Sequence, residues 1–340
     1  MAGFFKRLIF HLSGGVTSTS KYEARRAALE EKFVRYVTLK QSPALLRYKE
    51  LTLQVATPRR QSGLSAKEWK AMKREMARLQ KSADVMAFFK LQKRSKRFRE
   101  FACWQLTFED IFDGDTLNQA KWVTRKALLN AAVSFLYSPS DENHVYTNGG
   151  NVSVADKTLK IVVKREQAGG IGFHEQMGFM PIERKYTSGI VSTACSHAQL
   201  YGRVEAKIRF CGREKGIYHS MWLSAGKMLP HVNVLRIGDK IEFSAFAEAG
   251  NGEKLQHVEA WKRSLLKQNA AYVVAIEWSR DVVVWKINGV TMFSAPNIVN
   301  EPMYIAFSSG VTGKPNIVAP AALEVCWVRC YERRNDAAES

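Results

Sequence analysis

The chain has 340 residues, 46% of them hydrophobic, enough for one large domain with an extension. Its 51 Lys and Arg against 32 Asp and Glu give a net charge of +19, and no apolar run approaches the ~20 residues that a membrane span needs. The five Cys, at 103, 195, 211, 326 and 330, form no CxxC pair; this excludes a disulfide scaffold and a zinc ribbon and predicts free thiols in a reducing compartment.

The charge is lopsided: residues 1–100 hold 24 Lys and Arg against eight Asp and Glu, and the remaining 240 hold 27 against 24. Met1 to Leu12 has only short apolar pieces, and Lys21, Arg25 and Arg26 follow early, so no secretory signal is read and synthesis in the cytoplasm is expected. From Lys21, apolar residues recur at spacings of three and four, which predicts helix. Ser42-Pro43 starts a second helix, with Ser42 as its cap. Residues 57–63 form a linker, and Ser65 with Glu68 makes a capping box for another helix. Phe33 to Lys40 resembles Val85 to Gln92, a weak internal repeat read as two aromatic helix-turn-helix units. The tract with Lys90, Lys93, Arg94, Lys96, Arg97 and Arg99 is a candidate docking surface for nucleic acid phosphates or an acidic protein; a solvated helix face is the plain alternative.

After Gln105 the pattern becomes short alternating strands with turn signals between them. Val152–Val154 and Leu159–Val163 flank a turn at Asp156-Lys157, and Asn288-Gly289 closes another hairpin. Gly169 to Gly172 reads as a loop, and Tyr186 to Ser192 as one strand. Cys326 and Cys330, four apart on a strand, should share a face. Many short strands at regular spacing imply a two-sheet antiparallel jelly-roll sandwich behind a basic helical segment. The expected boundaries are 1–104 for the helical segment, 105–335 for the sandwich and 336–340 for a tail.

Several stretches in order carry a resemblance: Leu106 to Trp122, Tyr186-Thr-Ser-Gly-Ile, Tyr201 to Arg209, His219-Ser-Met-Trp-Leu, Leu229 to Arg236, and Trp278 followed by Trp285 to Gly289. Together they resemble glycoside hydrolase family 16, the laminarinase and lichenase group, over residues ~105–333. The resemblance implies a concanavalin-like sandwich with a Glu-x-Asp-x-x-Glu strand of nucleophile, helper and acid/base. Positions i and i+2 of a strand share a face, and i+5 joins them only through a bulge. His231, Asn233 and Arg236 stand where those three carboxyls belong. Neutral imidazole forms no glycosyl ester, Asn cannot ionise, and Arg does not donate a proton near neutrality. A second register through Glu242, with Glu248 as a further acid, does not complete the triad.

The expected function is therefore a catalytically silent sandwich, structural or carbohydrate-binding, in a larger and oligomeric assembly such as a bacteriophage virion, docked by its basic helices. Candidate sugar contacts are His231, Asn233, Arg236, Trp222, His257 and Trp261; Trp222 and Trp278 read equally as core. No metal ligand set is spaced in the sequence, and the only cofactor the resemblance suggests is a structural calcium on the convex face. The alternatives are an active endo-β-glycanase using Glu242 and Glu248, and a nucleic-acid-binding protein acting through residues 1–104.

Overall fold

A computed structural model of the chain describes residues 16–125, 137–139, 142–212, 215–313 and 321–334. The chain divides into two units: Ser20–Trp104 with residues 333–334, and residues 16–19 with Gln105–Glu332. The four residues 16–19 thus go with the sandwich, because Asn288 Nδ2 donates to the Thr17 carbonyl at 2.7 Å and to Thr19 Oγ1 at 3.0 Å.

The helical unit contains helices Thr19–Lys40, Pro43–Ala56, Ala66–Gln80 and Ala83–Gln92, with shorter turns at Arg59–Ser62, Ser95–Phe98 and Arg99–Ala102. Ser42 caps the second helix through the Leu45 N–H, and Ser65 and Glu68 close the expected capping box. The 57–63 linker holds one short helical turn, ended by Gly63 in the left-handed region. A small core of Leu39, Leu45, Val85 and Phe88 holds the unit together. Tyr36 stacks on Phe88 at 5.4 Å, and Phe33 on Phe101 at 5.8 Å, so aromatics of the two similar stretches face one another. The regular helix ends at Gln92, and Phe98 in the following turn is buried.

The β unit is a two-sheet antiparallel sandwich. One sheet runs, in spatial order, Val290–Pro296, Val282–Ile287, Ala271–Trp278, Gly202–Cys211, Ala321–Arg333, Thr158–Val163 and Val152–Ala155, with Trp104–Asp110 also paired to Ala321–Arg333. The other runs Ala198–Gln199, Met303–Val311, Ile217–Ser224, His231–Ile237, Lys240–Glu248 and Lys254–Lys262, with Ile190–Ser192 also paired to Met303–Val311. Alternate side chains of both sheets interdigitate in one core that includes Trp122, Trp278, Trp285, Phe210, Phe243 and Phe307. On the outward face of the first sheet Arg203 is buried against Glu205 at 2.6 Å, and Lys286 reaches Glu277 at 2.6 Å, so these acids are locked in ion pairs.

Three local expectations change. Gly169 to Gly172 is no loop but part of a hairpin, Ala168–His174 with Gly178–Arg184. The single strand over 186–192 is broken at Gly189, where a Cβ would meet Val152 Cγ2 at 2.8 Å. Cys326 and Cys330 do not share a face: a bulge opposite Lys207/Ile208 shifts the alternation, leaving Cys330 in the core and Cys326 half-buried.

His219 sits inside the sandwich, bonded to Ser309 Oγ at 2.8 Å and to the Cys211 carbonyl at 3.1 Å. Burial lowers its pKa to about 4. An unfolded chain takes up this proton near pH 6.5 and the native one only near 4, so stability present above pH 6.5 is lost as pH falls through that window. The loss amounts to about 3 kcal/mol at most. Denaturant titrations from pH 7 to pH 4 should show a shallower fall for His219→Gln than for the parent.

Candidate functional site

The site is built on the strand His231–Ile237. Trp222 and Ser244 both lie opposite Asn233, and Ser220 and Glu242 both lie opposite Arg236. Between these rows Val234 and Leu235 together oppose Phe243, which is a β-bulge, and both point into the core. The bulge lets His231, Asn233 and Arg236 all face the concave side. At the bulge the indole Nε1 of Trp285, from the other sheet, donates to the Asn233 carbonyl at 2.9 Å across the core.

Asn233 is 6% exposed and bound on every side. Its Oδ1 accepts from Ser220 Oγ at 3.2 Å and lies 3.2 Å from His231 Nε2, while its Nδ2 donates to Ser244 Oγ at 2.9 Å. Ser244 Oγ in turn donates to Glu242 Oε1 at 3.0 Å. His231 rests on Trp222 with ring centroids 5.1 Å apart. The Arg236 guanidinium lies 4.1 Å over the Tyr218 ring, a cation–π contact.

One carboxylate on this face escaped the sequence reading. Both oxygens of Glu142 accept from Tyr218 Oη, at 2.9 and 2.8 Å, and Tyr146 Oη lies 3.1 Å from Tyr218 Oη. His144 Nε2 is 3.5 Å from Glu142. Burial, and secondarily the Glu142 charge, push both phenols well above their ordinary range, so they remain protonated donors. Gly310 makes room for this cluster: a Cβ there would come within 2.5 Å of Tyr218 Oη and 2.6 Å of His144 Cε1. Glu142 lies in a Ser-Asp-Glu-Asn stretch about 75 residues from Tyr218, and nothing in its local sequence marks it.

The aromatic candidates are not surface platforms. Trp222 is 6% exposed and packs with Tyr146, Ile190, Tyr304 and Ala306, its Nε1 donating to Ser308 Oγ at 3.1 Å. Trp261 belongs to the main core, as Trp278 does. His257 lies opposite Ala245, a core residue, so it faces the sandwich interior and not the concave side. What remains accessible is a half-buried strip of His231, Arg236, Glu242 and Phe246. Glu248 is exposed at the end of its strand, six residues from Glu242, and Lys90, Lys93, Arg94, Lys96, Arg97 and Arg99 are all exposed in the helical unit. Among the described residues no group of three or more His, Cys, Asp or Glu is gathered to hold a metal, and no helix is long and apolar enough to cross a membrane.

Trp285→Phe removes the indole N–H that meets the Asn233 carbonyl and part of the ring system that fills the core. It should cost at least about 1–3 kcal/mol in chemical denaturation, the lost hydrogen bond and the gap acting together.

The fold has solved counterparts. The laminarinase catalytic domain from Thermotoga maritima MSB8 matches at 17% identity over 68% of this chain and 100% of its own, with a TM-score of 0.52. LamAcat from Zobellia galactanivorans matches at 18% identity over 67% and 98%, with a TM-score of 0.55. The kappa-carrageenase from Pseudoalteromonas carrageenovora matches at 15% identity over 68% and 96%, with a TM-score of 0.53. No curated protein matches the chain. The family model for glycosyl hydrolases family 16 matches residues 140–329, more than half of the sequence, and the chain therefore belongs to that family.

Proposed function

We propose that this protein is a catalytically silent member of family 16, used as a structural or carbohydrate-contacting module of a larger assembly into which its basic helices dock. One observation carries the reading. The three positions that the bulge turns to the concave side hold imidazole, carboxamide and guanidinium, and the carboxamide is saturated by Ser220, His231 and Ser244. Retaining hydrolysis needs two carboxyls about 5–5.5 Å apart, and inverting hydrolysis about 6.5–9.5 Å. Glu242 and Glu248 stand six residues apart on a strand whose pairing with Lys254–Lys262 is unbroken, hence about 20 Å apart. Glu142 is only 11% exposed, and its two oxygens share the single Tyr218 O–H.

The burial of Trp222 and Trp261 weighs toward a structural role and against stacking on sugar rings. Glycan contact, where it occurs, falls to His231, Arg236 and Phe246. A bacteriophage virion is a setting that suits such a module, since a rigid sandwich there serves as spacer or as host-glycan contact without chemistry.

Reducing-sugar assays with the full chain on laminarin, lichenan, agarose and κ-carrageenan should give no product above buffer, for the parent and for Glu242→Gln alike. Turnover that disappears in Glu242→Gln or Glu142→Gln would reverse the reading. Trp222→Ala should destabilise the fold by about 3–5 kcal/mol, as a buried aromatic does. If Trp222 were instead a sugar platform, glycan affinity would fall with stability unchanged.

A further inference from the structure

The helical unit carries a surface that the sandwich reading leaves unexplained. Between Ser20 and Trp104 there are 22 Lys and Arg against eight Asp and Glu. The helix Ala66–Gln80 gathers part of this excess on one side. Met72 is buried, and Trp69, Met76 and Leu79 are half-buried, on its inner face. Lys67, Lys70, Arg74 and Arg78, with Lys81 at the C-cap, follow at steps of three and four on the opposite face, all exposed. The ridge is ~21 Å long at 1.5 Å per residue, about six base pairs of duplex at 3.4 Å each.

The acids that could neutralise it are used elsewhere. The helix contains two, Glu68 and Glu75. Glu68 accepts from the Ser65 N–H at 2.9 Å in the capping box. Glu75 takes a two-pronged contact from Arg47, at 3.0 and 3.1 Å, and Arg47 also holds Glu50 at 3.0 Å. Among the described residues none of the five ridge cations has an acid within 4.0 Å; Arg78 acts on Glu75 only as a secondary charge behind Arg47. Protein–protein interfaces centre on apolar anchors and are depleted in Lys, whereas this ridge has only Ala71 and Ala77 between its cations. Evenly stepped cations with no anchor suit a repeating anion.

The geometry points to the outer face of the Ala66–Gln80 helix as a sequence-independent binding site for the phosphate backbone of nucleic acid. The contact is made by Lys67, Lys70, Arg74, Arg78 and Lys81. This rests on the helical unit alone and stands or falls apart from the reading of the sandwich.

The test is fluorescence anisotropy of the full chain with a labelled 20-base-pair duplex of arbitrary sequence, between 50 and 300 mM NaCl, with poly-L-glutamate as competitor. The log of the binding constant should fall linearly with log salt, with a slope of about −4 to −5 for five phosphate contacts. Two duplexes of unrelated sequence should bind equally. The variant K67Q/K70Q/R74Q keeps helix-forming residues; with its circular dichroism unchanged, it should bind at least tenfold more weakly at 100 mM NaCl, with a slope shallower by about 3. Three results overturn the proposal: no duplex binding at 50 mM NaCl; displacement of duplex by poly-L-glutamate at equal charge concentration, which makes the partner an acidic protein; or full affinity in K67Q/K70Q/R74Q with loss in K93Q/R94Q/R97Q, which moves the contact to the other basic tract.

Discussion

The hydrogen bond from Trp285 to the Asn233 carbonyl joins the two sheets at the bulge in His231–Ile237. A bulge leaves one backbone group unmatched, and a buried unmatched carbonyl costs about 1–3 kcal/mol. The indole supplies a donor from the opposite sheet while its rings fill the core. With that donor fixed, Val234 and Leu235 can both point inward, and every residue before them changes face relative to a regular strand. The concave positions His231, Asn233 and Arg236 therefore depend on a contact made on the other side of the sheet.

What the bulge presents is then closed by packing. Concave faces of such sheets are polar where they meet water, but here Trp222, Tyr146, Tyr304 and Ile190 form a second apolar cluster over part of the floor. Covering the floor buries hydroxyls, and each needs a partner. Tyr218 finds one in Glu142, and the Trp222 indole finds one in Ser308. A carboxylate thus used is anchored by a buried phenol that stays protonated and that lies beneath Arg236. The number of acids near a groove is a poor guide to chemistry when their lone pairs already support the fold.

The sequence revealed whatever is encoded by spacing within one strand or turn. The bulge between His231 and Arg236 follows once the family resemblance puts those residues on one face, since i and i+5 of a regular strand point apart. Ser42, Ser65 and Asn288-Gly289 likewise declare their caps and turn locally. Properties that depend on a distant partner stayed hidden. Trp222 alternates like a groove residue, and only Tyr146 and Tyr304, about 80 residues away on either side, decide that it is covered. His257 reads as polar and outward until its register with Ala245 turns it inward. Cys326 and Cys330 lost their common face to a bulge that one strand cannot announce. Gly169 to Gly172 has loop composition, yet pairing with the strand Gly178–Arg184 holds it extended.

Charge separates the two units as clearly as secondary structure does. From Gln105 onward, 27 Lys and Arg face 24 Asp and Glu, so this part of the chain is near charge balance. In the helical unit Glu68 caps a helix, and Glu50 and Glu75 are held by Arg47, so these three acids serve the scaffold. The excess of cations there raises self-repulsion in the folded state, which an external anion would relieve. The positive charge therefore sits on the helices, while in the sandwich Glu205, Glu277 and Glu142 are held in ion pairs or hydrogen bonds.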